Sequence, residues 1–330
     1  GPMSPPIIEL PPGVQRVPRR VQECESVGHG EGVMHVLTLA RRDPKDPGYS
    51  RAGRWADERL IRVWTPPGWT LEGAPPGGWP VLYLNDGQNK FEDWLAHQGV
   101  SWRAGYTASD LIARGELPPF LVVGIDSAGP LRSFNYLPFA PGAGAGGFRR
   151  DAERWPGGGL PAYMARVTQE IMPLVSERFG GSRDPARLAF GGGSFGGVAA
   201  LYAALHYPHV FGSVLAESPS LWVAEARFLA DLAAHSGALP ERLFMGVGTR
   251  EYSGTRDHER ADVDGLLLHY AREAARILDE KGMRPGQGRL VCQVEEGAGH
   301  HEGAWAYRLT GALRYLCAPW WQEVAAAQQH

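Results

Sequence analysis

The feature that most constrains the fold is a serine set among glycines, between an apolar segment and an alanine-rich segment. Residues 188–197 read LAFGGGSFGG, and residues 198–206 have the composition of a helix. A G-x-S-x-G sequence between a strand and a helix is typical of a nucleophile elbow, a sharp turn that exposes a serine hydroxyl at the end of a sheet. We therefore predict that Ser194 is a nucleophile, with Gly192 and Gly196 leaving room for the turn. A glycine-rich turn that binds phosphate or only packs is the alternative.

Apolar segments that alternate with helical patterns predict one α/β domain. The predicted strands are residues 33–39, 60–64, 80–84, 120–125, 187–190, 213–216, 243–247 and 290–294. The longest helical patterns are residues 163–179, 266–281 and 303–316. This alternation favours a mostly parallel sheet of about eight strands flanked by helices.

We expect the domain to span residues 21–330. The proline-rich residues 1–20 are expected to be an extended segment, in which Gly1 and Pro2 are typical of the remnant of a cleaved tag. Residues 138–159 form a glycine- and proline-rich loop that is long enough to act as a lid.

Charge, hydropathy and cysteine content limit the kinds of binding partner and compartment that we expect for this chain. The net charge is −3, and no basic stripe or long apolar run is present, so we expect neither a nucleic-acid partner nor a membrane span. Three distant cysteines, Cys24, Cys292 and Cys317, have neither metal spacing nor a disulfide framework, which favours a soluble protein of a reducing intracellular compartment. A homo-oligomer is compatible with the sequence.

A serine nucleophile needs a base in hydrogen-bond reach and a carboxylate that orients the base. Glu251 follows the predicted strand 243–247, and His300 lies in the glycine-rich loop that follows the strand 290–294. The two residues follow Ser194 in the chain order acid, then histidine, that accompanies a nucleophile elbow. We predict Glu251 as the acid and His300 as the base.

Two alternatives to these assignments are open. Asp257, Asp262 and Asp264 are rival acids, although each also suits a cap at the start of the helix near residue 262. His300 and His301 could be surface residues or two metal ligands, but adjacent histidines point in different directions, so we do not expect a shared metal.

The site also needs two backbone donors for an oxyanion. One is the amide of Phe195, directly after the serine. The other should come from the loop at residues 85–89, where we favour the Gln88 amide, with Gly87 taking an unusual backbone angle and allowing close approach of substrate. An ordinary Asp-Gly turn is the alternative for this loop.

Three segments of the chain resemble one known family. Residues 81–91 contain YLNDGQNKF, residues 191–197 hold the serine turn, and residues 297–305 read GAGHHEGAW and are followed by Arg308. Together they are similar to the motifs of the esterase family of α/β-hydrolases that includes esterase D, the enterochelin esterases and the feruloyl esterase domains. The resemblance runs from about residue 60 to residue 316.

The resemblance implies a single α/β-hydrolase domain that cleaves carboxylic esters through an acyl-enzyme on Ser194, with His300 as base and no metal or organic cofactor. Glu251 stands where relatives more often have Asp, so the identity of the acid stays open, as does the role of Asn85. An acyltransferase with the same triad, or a binding protein on the same scaffold, is the alternative.

Aromatic residues in the loops that should ring the carboxyl end of the sheet predict a pocket for a small-molecule ester. We predict Trp222, Trp102, Tyr136 and Arg132 as substrate-binding residues. Arg149, Arg150 and Arg154 are candidates to attract an anionic substrate, although we favour a solvated charged loop as their explanation.

Overall fold

Nine strands form one sheet in a computed structural model that describes residues 14–16, 31–39, 59–127, 129–139, 155–252 and 263–321. They are β1 (Val14–Arg16), β2 (Val33–Leu39), β3 (Arg59–Thr65), β4 (Val81–Asn85), β5 (Leu121–Ile125), β6 (Leu188–Gly193), β7 (Ser213–Glu217), β8 (Arg242–Gly248) and β9 (Leu290–Glu295). Their order across the sheet is β1-β2-β3-β5-β4-β6-β7-β8-β9. Strands β1, β2, β3 and β5 pair antiparallel, and the pairs from β5 through β4 to β9 are parallel.

Eight helices of the described chain flank this sheet. They are α1 (Ala104–Ala113), α2 (Arg132–Tyr136), α3 (Leu160–Arg166), α4 (Met172–Phe179), α5 (Phe195–His206), α6 (Val223–Ala234), α7 (Val263–Glu280) and α8 (Glu302–Cys317). A π-helical turn, Val167–Ile171, joins α3 to α4, and Pro173 lies in the first turn of α4. Proline fits a first turn because its missing N–H has no acceptor to lose there.

The predicted fold class is confirmed, and each of the eight predicted strands is present. The ninth strand, β1, lies inside the segment that we expected to be merely extended, and it pairs antiparallel with β2. Short polar-flanked segments such as this carry too little periodic pattern to be identified as strands from sequence.

Both faces of the sheet are covered, so its central strands are apolar throughout. On β4, Val81 and Tyr83 face the core under α3, α4 and α5, whereas Leu82 and Leu84 face the core under α1 and α8. This double burial is what parallel strands require, because crossover helices pack on both sides. No helix within the described ranges is long and apolar enough to span a bilayer.

Candidate active site

Ser194 lies in the sharp turn between β6 and α5. Its backbone angles are φ 60° and ψ −122°, outside the common regions for a side-chain-bearing residue. A Cβ on Gly192 would lie 2.5 Å from the carbonyl oxygen of Gly196, so the expected need for glycine at this position is confirmed. The Ser194 amide donates to the carbonyl oxygen of Glu217 on β7 at 2.9 Å, which ties the strained turn to the sheet.

His300 contacts the serine directly. Its Nε2 atom lies 2.8 Å from Ser194 Oγ, and the residue is in the loop between β9 and α8. The Tyr252 ring stacks on the imidazole with centroids 4.7 Å apart, and the Trp305 indole lies nearly perpendicular to the imidazole with centroids 5.1 Å apart. Two aromatic walls therefore hold the imidazole plane towards the serine.

Glu251 follows β8 and faces the other nitrogen of the imidazole. Its Oε2 lies 3.7 Å from His300 Nδ1, just beyond hydrogen-bond distance, and the backbone N–H of His300 donates to the Glu251 carbonyl oxygen at 2.8 Å. The Oε2 atom is buried without a hydrogen-bond partner within the described part of the chain. A buried carboxylate oxygen without a donor, aimed at Nδ1, fits an Nδ1–H that approaches as charge develops.

One of the three rival aspartates, Asp264, lies within the described residues. Asp264, in the first turn of α7, accepts a hydrogen bond from the backbone N–H of Tyr252 at 2.7 Å and so fixes the loop that carries Glu251. Asp257 and Asp262 lie outside the described residues. Among the described residues, Glu251 is therefore the carboxylate that faces His300.

Burial sets the protonation of this pair. It lowers the pKa of His300 to about 3, and the positive charges of Arg132, His301 and Arg308 act in the same direction. Burial also raises the pKa of Glu251 to about 7, against hydrogen bonds from Ser218 and the Gly248 backbone. The imidazole is consequently neutral near pH 7, which is the form that can accept a proton from a serine.

The two predicted oxyanion donors both stand at helix starts. Phe195 is the first residue of α5, and Gln88 lies in the 3₁₀ turn Gly87–Asn89 that follows β4. First-turn amides have no acceptor within their own helix. The Gln88 side chain is bonded on both sides to Ser127, donating at 2.6 Å and accepting at 3.0 Å, which fixes the turn.

Gly87 differs from the expectation in one respect. The left-handed residue of this turn is Asp86, with φ 54°, and not Gly87. A Cβ on Gly87 would lie 2.5 Å from the backbone carbon of Gly124, so the glycine is needed for packing against β5. The predicted close approach is thus an approach of two backbone segments.

Arg132 and Trp222 lie beside the serine turn. The Arg132 guanidinium binds both carboxylate oxygens of Asp86, at 2.8 and 2.9 Å, and lies 5.3 Å from the centroid of the Phe195 ring. The Arg132 side chain is 29% exposed and that of Asp86 only 3%, so the positive end of the pair faces outward. The half-buried Trp222 packs with its ring centroid 6.3 Å from that of Phe195.

Trp102 and Tyr136 lie behind the site and not on its surface. Trp102 is fully buried against Trp305, and Tyr136 is 1% exposed, with its hydroxyl accepting from the Asp86 amide at 2.9 Å. Side chains without accessible surface cannot contact a ligand in this conformation. The prediction that these two residues contact substrate is therefore wrong. Tyr136 supports the Asp86 turn, and Trp102 supports the Trp305 wall beside His300.

Four residues of the site were not predicted. The Ser220 hydroxyl lies 3.2 Å from Ser194 Oγ, Ser218 accepts from Trp305 Nε1 at 2.9 Å, Tyr252 stacks on His300, and the Trp155 ring lies 5.2 Å from that of Phe195. The two serines had a signal, since they lie two and four residues after the predicted strand 213–216, at the edge where the other site residues cluster. Arg149, Arg150 and Arg154 lie outside the described residues, as does most of the proposed lid.

Comparison with known proteins identifies the family of this chain. Residues 53–316 match the family described as "Putative esterase". The chain belongs to this esterase family. Membership places it among the carboxylic ester hydrolases, and the sheet order described above gives it the α/β-hydrolase fold of its structural neighbours.

Three relatives show the extent of the likeness. This esterase is 26% identical to the Bacillus subtilis protein YbbA over 79% of this chain and 93% of the relative. It is 41% identical to the iron(III) enterobactin esterase of Dickeya dadantii over 47% of this chain, which spans only 35% of that relative. The enterobactin esterase FES from Shigella flexneri superposes with a TM-score of 0.62 at 21% identity, over 89% of this chain and 62% of that one, and shows the shared fold.

Proposed function

We propose that this esterase cleaves carboxylic esters through an acyl-enzyme on Ser194. The observation that carries the proposal is the 2.8 Å contact between Ser194 Oγ and His300 Nε2, with Glu251 facing Nδ1. A serine hydroxyl becomes nucleophilic when a neutral imidazole can take its proton during attack.

The reaction proceeds in two halves. Ser194 Oγ attacks the ester carbonyl while its proton passes to His300 Nε2, and the Phe195 and Gln88 amides stabilise the oxyanion. Collapse of the tetrahedral intermediate breaks the C–O bond to the alcohol, which leaves with the proton from His300. Water, deprotonated by His300, then attacks the acyl-enzyme and releases the acid.

Glu251 acts on the imidazolium that forms in each half. The positive charge on His300 attracts the carboxylate, which closes the 3.7 Å gap and pairs the unsatisfied Oε2 with Nδ1–H. Catalytic hydrogen bonds are often long in the free enzyme and shorten when charge develops.

For the substrate we propose a siderophore ester with an aromatic or anionic group near the scissile bond. A relative with 41% identity is named an iron(III) enterobactin esterase, and enterobactin is a siderophore. The outward-facing Arg132 and the rings of Phe195, Trp155 and Trp222 support this choice, because they offer a cation beside an aromatic wall.

The experiment compares turnover of p-nitrophenyl acetate and of iron(III) enterobactin by the parent protein and by Ser194→Ala and Trp222→Ala. We expect Ser194→Ala to abolish turnover of both esters, and Trp222→Ala to raise KM for enterobactin only. Equal turnover by parent and Ser194→Ala would refute the mechanism. Addition of alcohol acceptors tests the acyltransferase alternative, which requires new esters in place of the free acid.

A further inference from the structure

The loop that follows β7 brings two hydroxyl groups to the site, one beside Ser194 Oγ and one beside the Trp305 indole that packs on His300. Ser218 and Ser220 are both buried, and Pro219 separates them. The Ser218 amide donates to the Gly246 carbonyl oxygen at 2.8 Å, and the Ser220 amide donates to the Ser194 carbonyl oxygen at 3.2 Å. Both ends of the loop are therefore fixed by the backbone, one to β8 and one to the nucleophile turn.

The proton count at the nucleophile assigns a direction to the Ser220 contact. Ser194 has one hydroxyl proton, and it is donated to the neutral His300 Nε2 at 2.8 Å. The Ser220 hydroxyl, 3.2 Å from the same oxygen, must then be the donor to Ser194 Oγ. A donor at this position stabilises the negative charge that grows on Oγ as its proton leaves.

Ser218 contacts the aromatic wall of the base. Its hydroxyl oxygen accepts from Trp305 Nε1 at 2.9 Å, and the Trp305 ring centroid lies 5.1 Å from that of the His300 imidazole. Its φ of 41° lies in the left-handed region, which a serine rarely adopts. A strained backbone that places a hydroxyl on the indole beside the base fits a role at the site.

We propose that Ser218 and Ser220 are positioning residues, Ser220 by donating a hydrogen bond to the nucleophile oxygen and Ser218 by holding the Trp305 indole against His300. This inference rests on the proposed acyl-enzyme function and assigns two further residues to it. One loop, fixed by the backbone at both ends, would thereby set the geometry of both the nucleophile and the base.

The first test is Ser220→Ala, measured as the stopped-flow burst of p-nitrophenol from p-nitrophenyl acetate. We expect the acylation rate constant to fall about tenfold, because a hydrogen bond to a developing charge is lost, with KM almost unchanged. Ser213→Ala is the matched control: it removes a buried serine of the preceding strand β7, whose hydroxyl donates to the Leu316 carbonyl oxygen at 3.0 Å, and its burst should equal that of the parent.

The second test is Ser218→Gly, which removes the acceptor of Trp305 Nε1 while suiting the left-handed backbone. The acidic limb of kcat/KM should move to higher pH, because an indole that is no longer held against the imidazole lets solvent reach it and weakens the burial that lowers the pKa of His300. A purely structural role would leave this limb in place. The charged groups around His300 that stay unchanged are Glu251, Arg132, His301 and Arg308.

The outcomes separate this inference from the proposed function. A normal burst in the parent together with an unchanged burst in Ser220→Ala, or an unchanged pH profile in Ser218→Gly, would overturn the positioning roles and leave the acyl-enzyme intact. Absence of any burst in the parent, with turnover retained by Ser194→Ala, would overturn both.

Discussion

At the scale of single residues, the proposed catalysis depends on how Glu251 and His300 share charge. The carboxylate oxygen that faces Nδ1 is buried without a hydrogen bond from any described residue, so it gains most when the imidazole becomes positive. Asp264 belongs to the same region but serves the backbone of Tyr252. Removing the charge of Glu251 should therefore impair catalysis far more than removing the charge of Asp264.

Glu251→Gln is expected to lower kcat/KM for p-nitrophenyl acetate by about a thousandfold or more, because an amide cannot stabilise the imidazolium and can favour the wrong tautomer. Asp264→Asn should stay within a few fold of the parent, since the Asn side-chain oxygen can still accept from the Tyr252 amide. The reverse ranking of the two variants would assign the acid to Asp264.

The same substitution should also shift the pH dependence. In the parent, we expect protonation of the His300–Glu251 pair to give the acidic limb of kcat/KM. Without the carboxylate, burial and the charges of Arg132 and Arg308 act alone and lower the pKa of His300. The acidic limb of Glu251→Gln should therefore lie at lower pH than that of the parent, and a limb at higher pH would contradict the pairing.

At the scale of elements, the elbow works because β6 ends and α5 begins with almost no connecting chain. Asn85, at the end of β4, donates to the Gly196 carbonyl oxygen at 3.0 Å and accepts from the Tyr163 hydroxyl at 2.5 Å. The neighbouring strand and helix thus hold the turn from one side, and the Glu217 carbonyl oxygen holds it from the other.

Gly192→Ala is expected to destabilise the protein by about 2 kcal/mol or more, because its Cβ would lie 2.5 Å from a backbone oxygen that cannot move away. Gly311→Ala is the control, since this glycine lies in α8 with no atom within 4 Å of the added Cβ. It should be neutral or stabilising by up to about 1 kcal/mol. Urea unfolding measures both, and equal changes would show that the turn has room for a side chain.

At the scale of the whole molecule, a buried ion pair joins the helix layer to the sheet beneath the site. The Arg308 guanidinium of α8 binds Glu217 Oε2 on β7 at 2.5 and 2.9 Å, and its side chain is fully buried. Burial raises the pKa of Glu217 to about 7, opposed by the charge and hydrogen bonds of Arg308. The pair lies next to Glu251, whose pKa the Arg308 charge lowers.

Glu217→Ala should cost about 3 kcal/mol or more of unfolding free energy, because a guanidinium cannot shed its charge and would stay buried without this partner. Arg314→Ala provides the comparison: Arg314 lies on α8 like Arg308, but its pair with Glu116 is exposed, so its loss should cost less than about 1 kcal/mol. Chemical denaturation at pH 7 measures both. Similar small losses in the two variants would show that the Arg308 charge is solvated.

The fold class and the chain order of the candidate site residues could be predicted from the sequence. Strands β2 to β9 coincide with apolar segments of the sequence. The segments after β6, β8 and β9 carry Ser194, Glu251 and His300. These residues lie close together because parallel strands end at the same edge of a sheet. The burial of individual aromatic side chains was harder to predict. Trp102 and Trp222 look alike in sequence, but only three-dimensional packing places one in the core and the other beside the nucleophile.

Trapping of the covalent intermediate tests most directly whether the reaction proceeds through an acyl-enzyme on Ser194. The parent protein is mixed with p-nitrophenyl acetate, quenched with acid during the burst, and examined by intact mass and by peptide mapping. We expect one added acetyl group on Ser194 in the parent and none in Ser194→Ala. An acetyl group on another residue, or turnover by Ser194→Ala at the parent rate, would contradict the account.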